Sequence, residues 1–316
     1  MNRRFFLAAV GSAPLAAAFA RPFLGSLAEI QSPSNPLTAS MWTYLWDLAD
    51  EGYAQALSRM KENGLTSVSL ACAYHAGKFL APHNPKRKVV FLEDGTVYFT
   101  PTASQYGRIR PRINSLVSQG HSLAVVRREA ENAGMETRAW VVCCHNTPLG
   151  QAYPDIVCRT AHGDPLYHNL CPSNDDVRAY PKGVVSDIAS QGASVIELEA
   201  MQFQGYSHGF HHEREGIVLP QSVRFLLGVC FCSSCRQRFV DGTGRFDALR
   251  VYVRTTLDTY FQDPEAAADG VPTFESLIAG ELSDLMEWRK TIVTSLAEEL
   301  AGAISDTSVR LRPLVS

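Results

Sequence analysis

Three cysteines fall within six residues, Cys230-Phe231-Cys232-Ser233-Ser234-Cys235, and a fourth, Cys171, stands far upstream in Asn169-Leu170-Cys171-Pro172-Ser173-Asn174. Thiolates this close, with a fourth supplied from a distance, can enclose a tetrahedral ion, and zinc is the default occupant of a four-cysteine site. A closed site has no open coordination position, so it would fasten two loops together and do no chemistry itself. Disulfide pairing is the alternative in an exported chain, although three cysteines in six residues cannot all pair locally without strain. Cys158 is an alternative fourth ligand. Cys72, Cys143 and Cys144 sit in apolar runs and read as packing residues.

A second chemical signal is Val195-Ile196-Glu197-Leu198-Glu199-Ala200. In a strand, side chains alternate, so Glu197 and Glu199 share one face while Ile196 and Leu198 share the other. If the apolar face packs on helices, both carboxylates face the concave side of the sheet. Interior salt bridges with Arg or Lys are the structural alternative. Trp42, Tyr44 and Trp46 can stack on sugar rings, and Tyr74, His75, His145 and Asn146 lie at or just past the ends of two further strands. Gly205-Tyr206-Ser207-His208-Gly209-Phe210-His211-His212-Glu213 follows the glutamates directly. Its glycines argue against a helix, so the one-turn spacing of a His-Glu-x-x-His metal site is absent. The stretch reads as a binding loop, with His208 and His212 as ligand contacts.

These residues must be positioned by alternating strands and helices. Leu37–Trp46 reads as a first strand and Asp50–Asn63 as a helix closed by Gly64. Thr66–Tyr74 reads as a second strand. An excursion follows with a hairpin, Val89–Leu92 against Thr96–Phe99, turning at Glu93-Asp94-Gly95. A helix over Ser122–Ala133, a strand over Glu136–Cys144, a helix over Asp175–Gln191 and a strand over Ala193–Met201 come next. The segment Phe274–Ile304 holds the longest helix, and Val309–Leu314 reads as a fifth strand. Helices between buried strands imply parallel βαβ units. Long loops after the strands point to an α/β fold of the (β/α)8 TIM-barrel type, incomplete at its C-terminal side. An open doubly wound sheet is the alternative, but no Gly-x-Gly-x-x-Gly follows a strand.

The chain has 316 residues, 46% hydrophobic and 19% charged, with net charge −3. Without a basic block, nothing favours nucleic acid or an anionic membrane surface. Asn2-Arg3-Arg4-Phe5-Phe6-Leu7, the apolar Leu7–Ala20 and the terminal Ala18-Phe19-Ala20 have the form of a twin-arginine export signal over residues 1–20. Residues 21–36 read as a flexible leader and residues 37–316 as the barrel domain. The expected location is periplasmic or secreted, with no membrane span.

Cys171-Pro172 with Arg178-Ala179-Tyr180, and Cys230-x-Cys232-x-x-Cys235 with Arg236, Phe239 and Phe246-Asp247-Ala248-Leu249, resemble the cysteine segments of family 42 β-galactosidases. The resemblance covers roughly Cys171–Leu249. Tyr74–Phe79 and Pro82–Pro85 suggest an uncharacterised branch of glycosidase-like barrels instead of a β-galactosidase. The resemblance implies a structural zinc on Cys171, Cys230, Cys232 and Cys235. It also implies an acid/base glutamate at Glu199, with Glu197 beside it, and a carbohydrate ligand. Those enzymes have asparagine before the acid/base glutamate, whereas here Leu198 precedes Glu199. Their nucleophile ends a seventh strand, to which no position here is matched. An incomplete barrel would leave strand edges for a partner copy to cover, so a homo-oligomer is an expectation. The sequence therefore points to an exported glycoside hydrolase, or to a noncatalytic carbohydrate-binding or assembly protein on a zinc-stapled partial barrel. A histidine-site metallohydrolase is a third reading.

Overall fold

The structure, a computed structural model, describes residues 38–207, 213–239, 244–267, 270–304 and 308–314. The proposed export signal and leader, and His208 and His212, lie outside the described residues. The chain begins with β1 (Ser40–Thr43), α1 (Leu45–Glu51), α2 (Tyr53–Glu62) and β2 (Ser67–Tyr74). A first excursion contains β3 (Lys78–Leu80), β4 (Val89–Phe91), β5 (Thr96–Val97), β6 (Arg112–Ile113) and α3 (Ser115–Ser118). Then come α4 (Leu123–Asn132), β7 (Glu136–Val142), α5 (Thr147–Ala152), β8 (Val157–Arg159), β9 (Pro165–Leu170), α6 (Asp175–Ser190) and β10 (Val195–Glu199). The remainder is α7 (Gln221–Leu227), α8 (Ser233–Arg238), α9 (Arg245–Gln262), α10 (Pro264–Ala267), α11 (Phe274–Ala279), α12 (Ser283–Gly302) and β11 (Arg310–Pro313).

The expected parallel α/β layer is present. β1, β2, β7, β10 and β11 pair in that order, and every pair is parallel. Short β5 joins β2 antiparallel at Ala73 and Tyr74, and β6 extends from β5. Among the described residues this sheet is open, with β1 and β11 each bonded to one neighbour, so a closed barrel is not formed by them. The α6 helix runs through Pro181, starting at Asn174, whose side chain accepts from the Asp176 and Val177 amides.

Three expected elements are corrected. The first strand stops at Thr43 and helix begins at Leu45, because Leu45 and Leu48 bury against the core from one helical face. The helix expected over Asp50–Asn63 is two helices broken at Gly52, whose φ of +86 suits glycine alone. The hairpin turning at Glu93-Asp94-Gly95 does not form. β4 pairs antiparallel with β3, while β5 leaves to join β2. The Asn84 carboxamide accepts from the Lys86 and Arg87 amides, and that turn returns the chain from β3 to β4.

Two large apolar clusters hold the molecule. The first lies between the parallel strands and α1, α2, α4, α6 and α12, and includes Ile196, Leu198, Ile188 and Leu300. The second gathers Cys158, Cys171, Phe203 and the side chains of α7, α9 and α12 around Cys230, Cys232 and Cys235. Across the described residues no helix is long and apolar enough to cross a membrane.

Candidate active face and sulfur centre

On β10 the alternation is as the sequence requires. Ile196 and Leu198 are sealed in the helix-facing core, while Glu197 and Glu199 turn to the other face. Glu197 is buried at 3% exposure and tightly held. Its Oε2 accepts from Trp42 Nε1 at 2.7 Å and from Ser69 Oγ at 2.7 Å, and Arg138 Nη1 stands 3.9 Å from Oε1. The interior ion pair anticipated for a glutamate on this face therefore belongs to Glu197. A carboxylate with these donors is fixed in place and cannot swing toward a substrate.

Glu199 ends the strand and is only half-buried. Trp140 Nε1 donates to its Oε2 at 2.6 Å. The residue that follows, Ala200, has φ of +56, the one non-glycine positive φ among the described residues. A left-handed alanine costs about 1–2 kcal/mol and survives where surrounding contacts impose it. Here the Cys143 and Cys144 amides bond to the carbonyls of Glu199 and Ala200, fixing the turn directly after the carboxylate.

An aromatic strip runs past these carboxylates. Trp42 stacks on Trp140 at 5.3 Å, and Tyr74 meets Trp140 edge-on at 4.7 Å. His75 stacks on Tyr74 at 4.3 Å and on His145 at 4.5 Å, and His168 meets His145 edge-on at 5.9 Å. The structure thus brings together Glu197, Glu199, Trp42, Tyr74, His75 and His145. Tyr44 and Tyr74 hydroxyls bond at 3.3 Å, and burial pushes both phenols up, so neither is a base at neutral pH. Asn146 is engaged differently. Its Oδ1 caps α5 by accepting from the Leu149 amide, and its Nδ2 donates to Gly95 O.

Trp140, Ser69 and His168 were not singled out from the sequence. Arg138, Trp140 and Val142 alternate onto the same face as the glutamates, and Trp140 lies directly across from Glu197 in register. That period-two signal is present in the sequence.

The four cysteines do converge. Cys171 Sγ lies 3.4 Å from Cys235 Sγ, 3.5 Å from Cys232 Sγ and 4.0 Å from Cys230 Sγ, with all four within 4.8 Å of one another. Sulfurs bound at 2.3 Å around one tetrahedral ion stand about 3.8 Å apart, so the donor set fits zinc. All eight cysteines are free thiols in the structure, and none of these four is disulfide-bonded. The local fold explains the gathering. Cys171 follows β9, while Cys232 caps α8 by accepting from the Cys235 amide at 3.4 Å. The Arg159 amide points at Cys230 Sγ at 3.4 Å. Burial opposes ionisation, but thiol donors from Cys158 and the neighbouring cysteines bring Cys171 and Cys230 down, while hydrogen bonding to those two sulfurs pushes Cys232 and Cys235 up. The Arg289 guanidinium, 4.4 Å over the Phe203 ring, sits within electrostatic reach of the same sulfurs. Cys158 packs against Cys171 and Cys230 but falls outside the four-sulfur group. Burial pushes Cys72, Cys143 and Cys144 up, in keeping with packing roles.

No family model and no curated protein matches the sequence. Solved structures to which the chain is similar include an alpha-L-fucosidase isoenzyme 2 from Paenibacillus thiaminolyticus, at 15% identity and a TM-score of 0.41, covering 83% of this chain and 29% of that one. A beta-galactosidase from Halorubrum lacusprofundi matches at 11% identity and 0.35, covering 63% and 23%. A hypothetical protein from Ruminiclostridium thermocellum matches at 12% and 0.35, covering 54% and 81%. The chain thus spans under a third of the length of the two named glycosidases.

Proposed function

We propose that this chain is an exported glycoside hydrolase-like protein acting on a glycoside or oligosaccharide, with Glu199 as general acid/base. One observation carries the reading: Glu199 ends a parallel strand half-exposed, oriented by Trp140 and flanked by an aromatic strip, while its neighbour Glu197 is locked. Parallel α/β sheets act at the carboxyl ends of their strands, and sugar C–H faces stack on such rings. With Oε2 taken by the Trp140 indole, Oε1 is the oxygen that protonates the leaving glycosidic oxygen, and later takes a proton from water. Trp42 and Tyr74 would support the sugar ring, and His75 and His145 would hydrogen-bond its hydroxyls. In the same reading His208 and His212 contact the ligand.

Zinc held by Cys171, Cys230, Cys232 and Cys235 would act structurally, fixing the segments that follow β9 and β10. The twin-arginine signal belongs to the proposal too, since that route exports proteins already folded around their metal. The test is hydrolysis of an aryl and alkyl glycoside panel by wild type and Glu199→Gln. Loss of the acid should lower kcat/KM about 10²–10⁴-fold, most for alkyl leaving groups that cannot depart unprotonated. Equal rates for the two proteins would remove Glu199 from the chemistry.

A further inference from the structure

Trp42 is 57% exposed, yet its one polar atom is bound inside the fold. Its Nε1 donates at 2.7 Å to Oε2 of Glu197, a residue only 3% exposed. An exposed indole ordinarily gives its N–H to water, and a buried one gains by hiding its ring. Trp42 does neither: the protein takes the N–H and leaves the ring out. One face of that ring is backed by Trp140, stacked at 5.3 Å with 27° between the planes. Trp140 is held in turn by Glu199, whose Oε2 accepts from its Nε1 at 2.6 Å. The stacked indoles thus have separate anchors, and the anchor of Trp42 is the glutamate assigned no proton transfer.

The donors to Glu197 come from one row across the sheet. Trp42 on β1 lies directly across from Ser69 on β2, and Ser69 lies directly across from Arg138 on β7. All three meet the carboxylate that β10 sends back over that row. The Ser69 hydroxyl donates to Oε2 at 2.7 Å, and Arg138 Nη1 stands 3.9 Å from Oε1. Ser69 and Arg138 are both buried, so Glu197 has a hydrogen bond and a counter-charge within the core. Its further bond to an exposed ring acts on the ring. A charge-assisted hydrogen bond is short and directional, and this one fixes the plane of Trp42 before any ligand arrives. A side chain already ordered does not have to be ordered by the ligand, which is the advantage of a preformed contact.

We propose that Glu197 is a positioning residue, holding Trp42 as a pre-set platform on which a pyranose ring of the substrate stacks beside Glu199. It rests on the carbohydrate reading above but does not need Glu199 to be catalytic. The experiment uses the full chain, indole-15N labelled, titrated with lactose, maltose and cellobiose. The Trp42 indole signal is assigned by its loss in Trp42→Phe. Free wild type should show that N–H as rigid as the backbone, with an order parameter of about 0.85, and at least one disaccharide should move it saturably. Glu197→Leu removes the acceptor and leaves Arg138 its other partner, Glu136 at 3.1 Å. It should drop the order parameter below about 0.6 and raise the disaccharide Kd about 2- to 10-fold. Glu197→Gln keeps an acceptor oxygen and should restore both. Ser69→Ala loosens the carboxylate without touching ring or charge. It should shift both readouts the same way by less, and it decides the matter if Glu197→Leu does not fold. A Trp42 that stays rigid in the folded variants, or that becomes mobile with Kd unchanged, overturns the positioning role. A Trp42 signal that no disaccharide moves overturns the platform. Glu199→Gln should leave the Trp42 signal rigid and its shift intact. If wild type hydrolyses nothing yet the shift and its dependence on Glu197 persist, the catalytic reading fails alone. If hydrolysis is present but either is absent, this proposal fails alone.

Discussion

The strand layer and the sulfur-centred layer are both buried, yet they differ in what holds them. In the first, large side chains from long elements interlock: Leu70, Ile188, Ile196 and Leu198 are fully enclosed between sheet and helices. In the second, short helices and irregular segments converge on Cys171, Cys230, Cys232 and Cys235, with only α9 and α12 providing extended apolar faces. Among the described residues, interlocked apolar side chains fill the strand layer without any metal-ligating group. The sulfur layer adds to its apolar contacts a four-cysteine group close enough to hold a metal ion, and under the zinc proposal that ion would offset the charge of four neighbouring thiolates. Glu199 stands at the seam, since its strand belongs to one cluster and Phe203, four residues later, to the other.

The largest effect should therefore follow from breaking the sulfur centre. Zinc binding to four-thiolate sites is worth on the order of 10 kcal/mol. Cys171→Ser should abolish stoichiometric zinc and strip protection from α9 in hydrogen exchange, while β2 and β7 keep theirs. Uniform loss of protection over both layers would show that they are one cooperative unit, and the contrast would fall. Intact protection in α9 would show that its apolar face suffices without the ion.

A smaller effect tests the other layer. Leu198 is enclosed at 1% exposure beneath the carboxylate face. Leu198→Ala should cost about 2–5 kcal/mol in denaturant unfolding through the cavity it leaves, with zinc content unchanged. Zinc lost along with that stability would mean the strand layer positions the cysteines directly.

The same contrast explains what could be read from the residues alone. Face assignment on β10 needed only the two-residue period, and the cysteine set needed only spacing and thiol chemistry. The five parallel strands were each legible from alternation or apolar runs, within a few residues. What escaped depended on partners distant in sequence. Val89–Phe91 and Thr96–Val97 flank a good turn sequence, but β5, itself buried, pairs with Ala73 and Tyr74 at the end of β2 instead of pairing locally. The role of Trp140 escaped because the partner of its polar atom lies 59 positions away. Asn146 sat at a strand end as expected of a ligand contact, yet the start of α5 immediately after it supplies an amide that claims its side chain. The break before α12 falls at Gly280, where a Cβ would lie 2.7 Å from Ser276 O, a close approach invisible without coordinates.

The smallest effect concerns the seam itself. Arg178, buried on α6, donates to Pro172 O beside the sulfur centre at 2.9 Å, to Ser295 Oγ at 2.9 Å and to Glu299 Oε1 at 2.7 Å on α12. Burial works against ionised Glu299, but the Arg178 hydrogen bond outweighs it and holds the carboxyl below its ordinary 4.5. A carboxylate whose folded pKa is depressed contributes stability that is complete above its unfolded pKa and is lost as pH falls through the folded one. Because Glu299 is 38% exposed, solvent screens the pair and the contribution is modest. Between about pH 5 and pH 3 the thermal midpoint of wild type should therefore fall more steeply than that of Glu299→Gln, and the two should converge at the acid end. Curves that stay parallel across that window would mean that Arg178 is satisfied by the Pro172 and Ile292 carbonyls and Ser295 alone, leaving the two layers joined by neutral hydrogen bonds and packing with no titrating link.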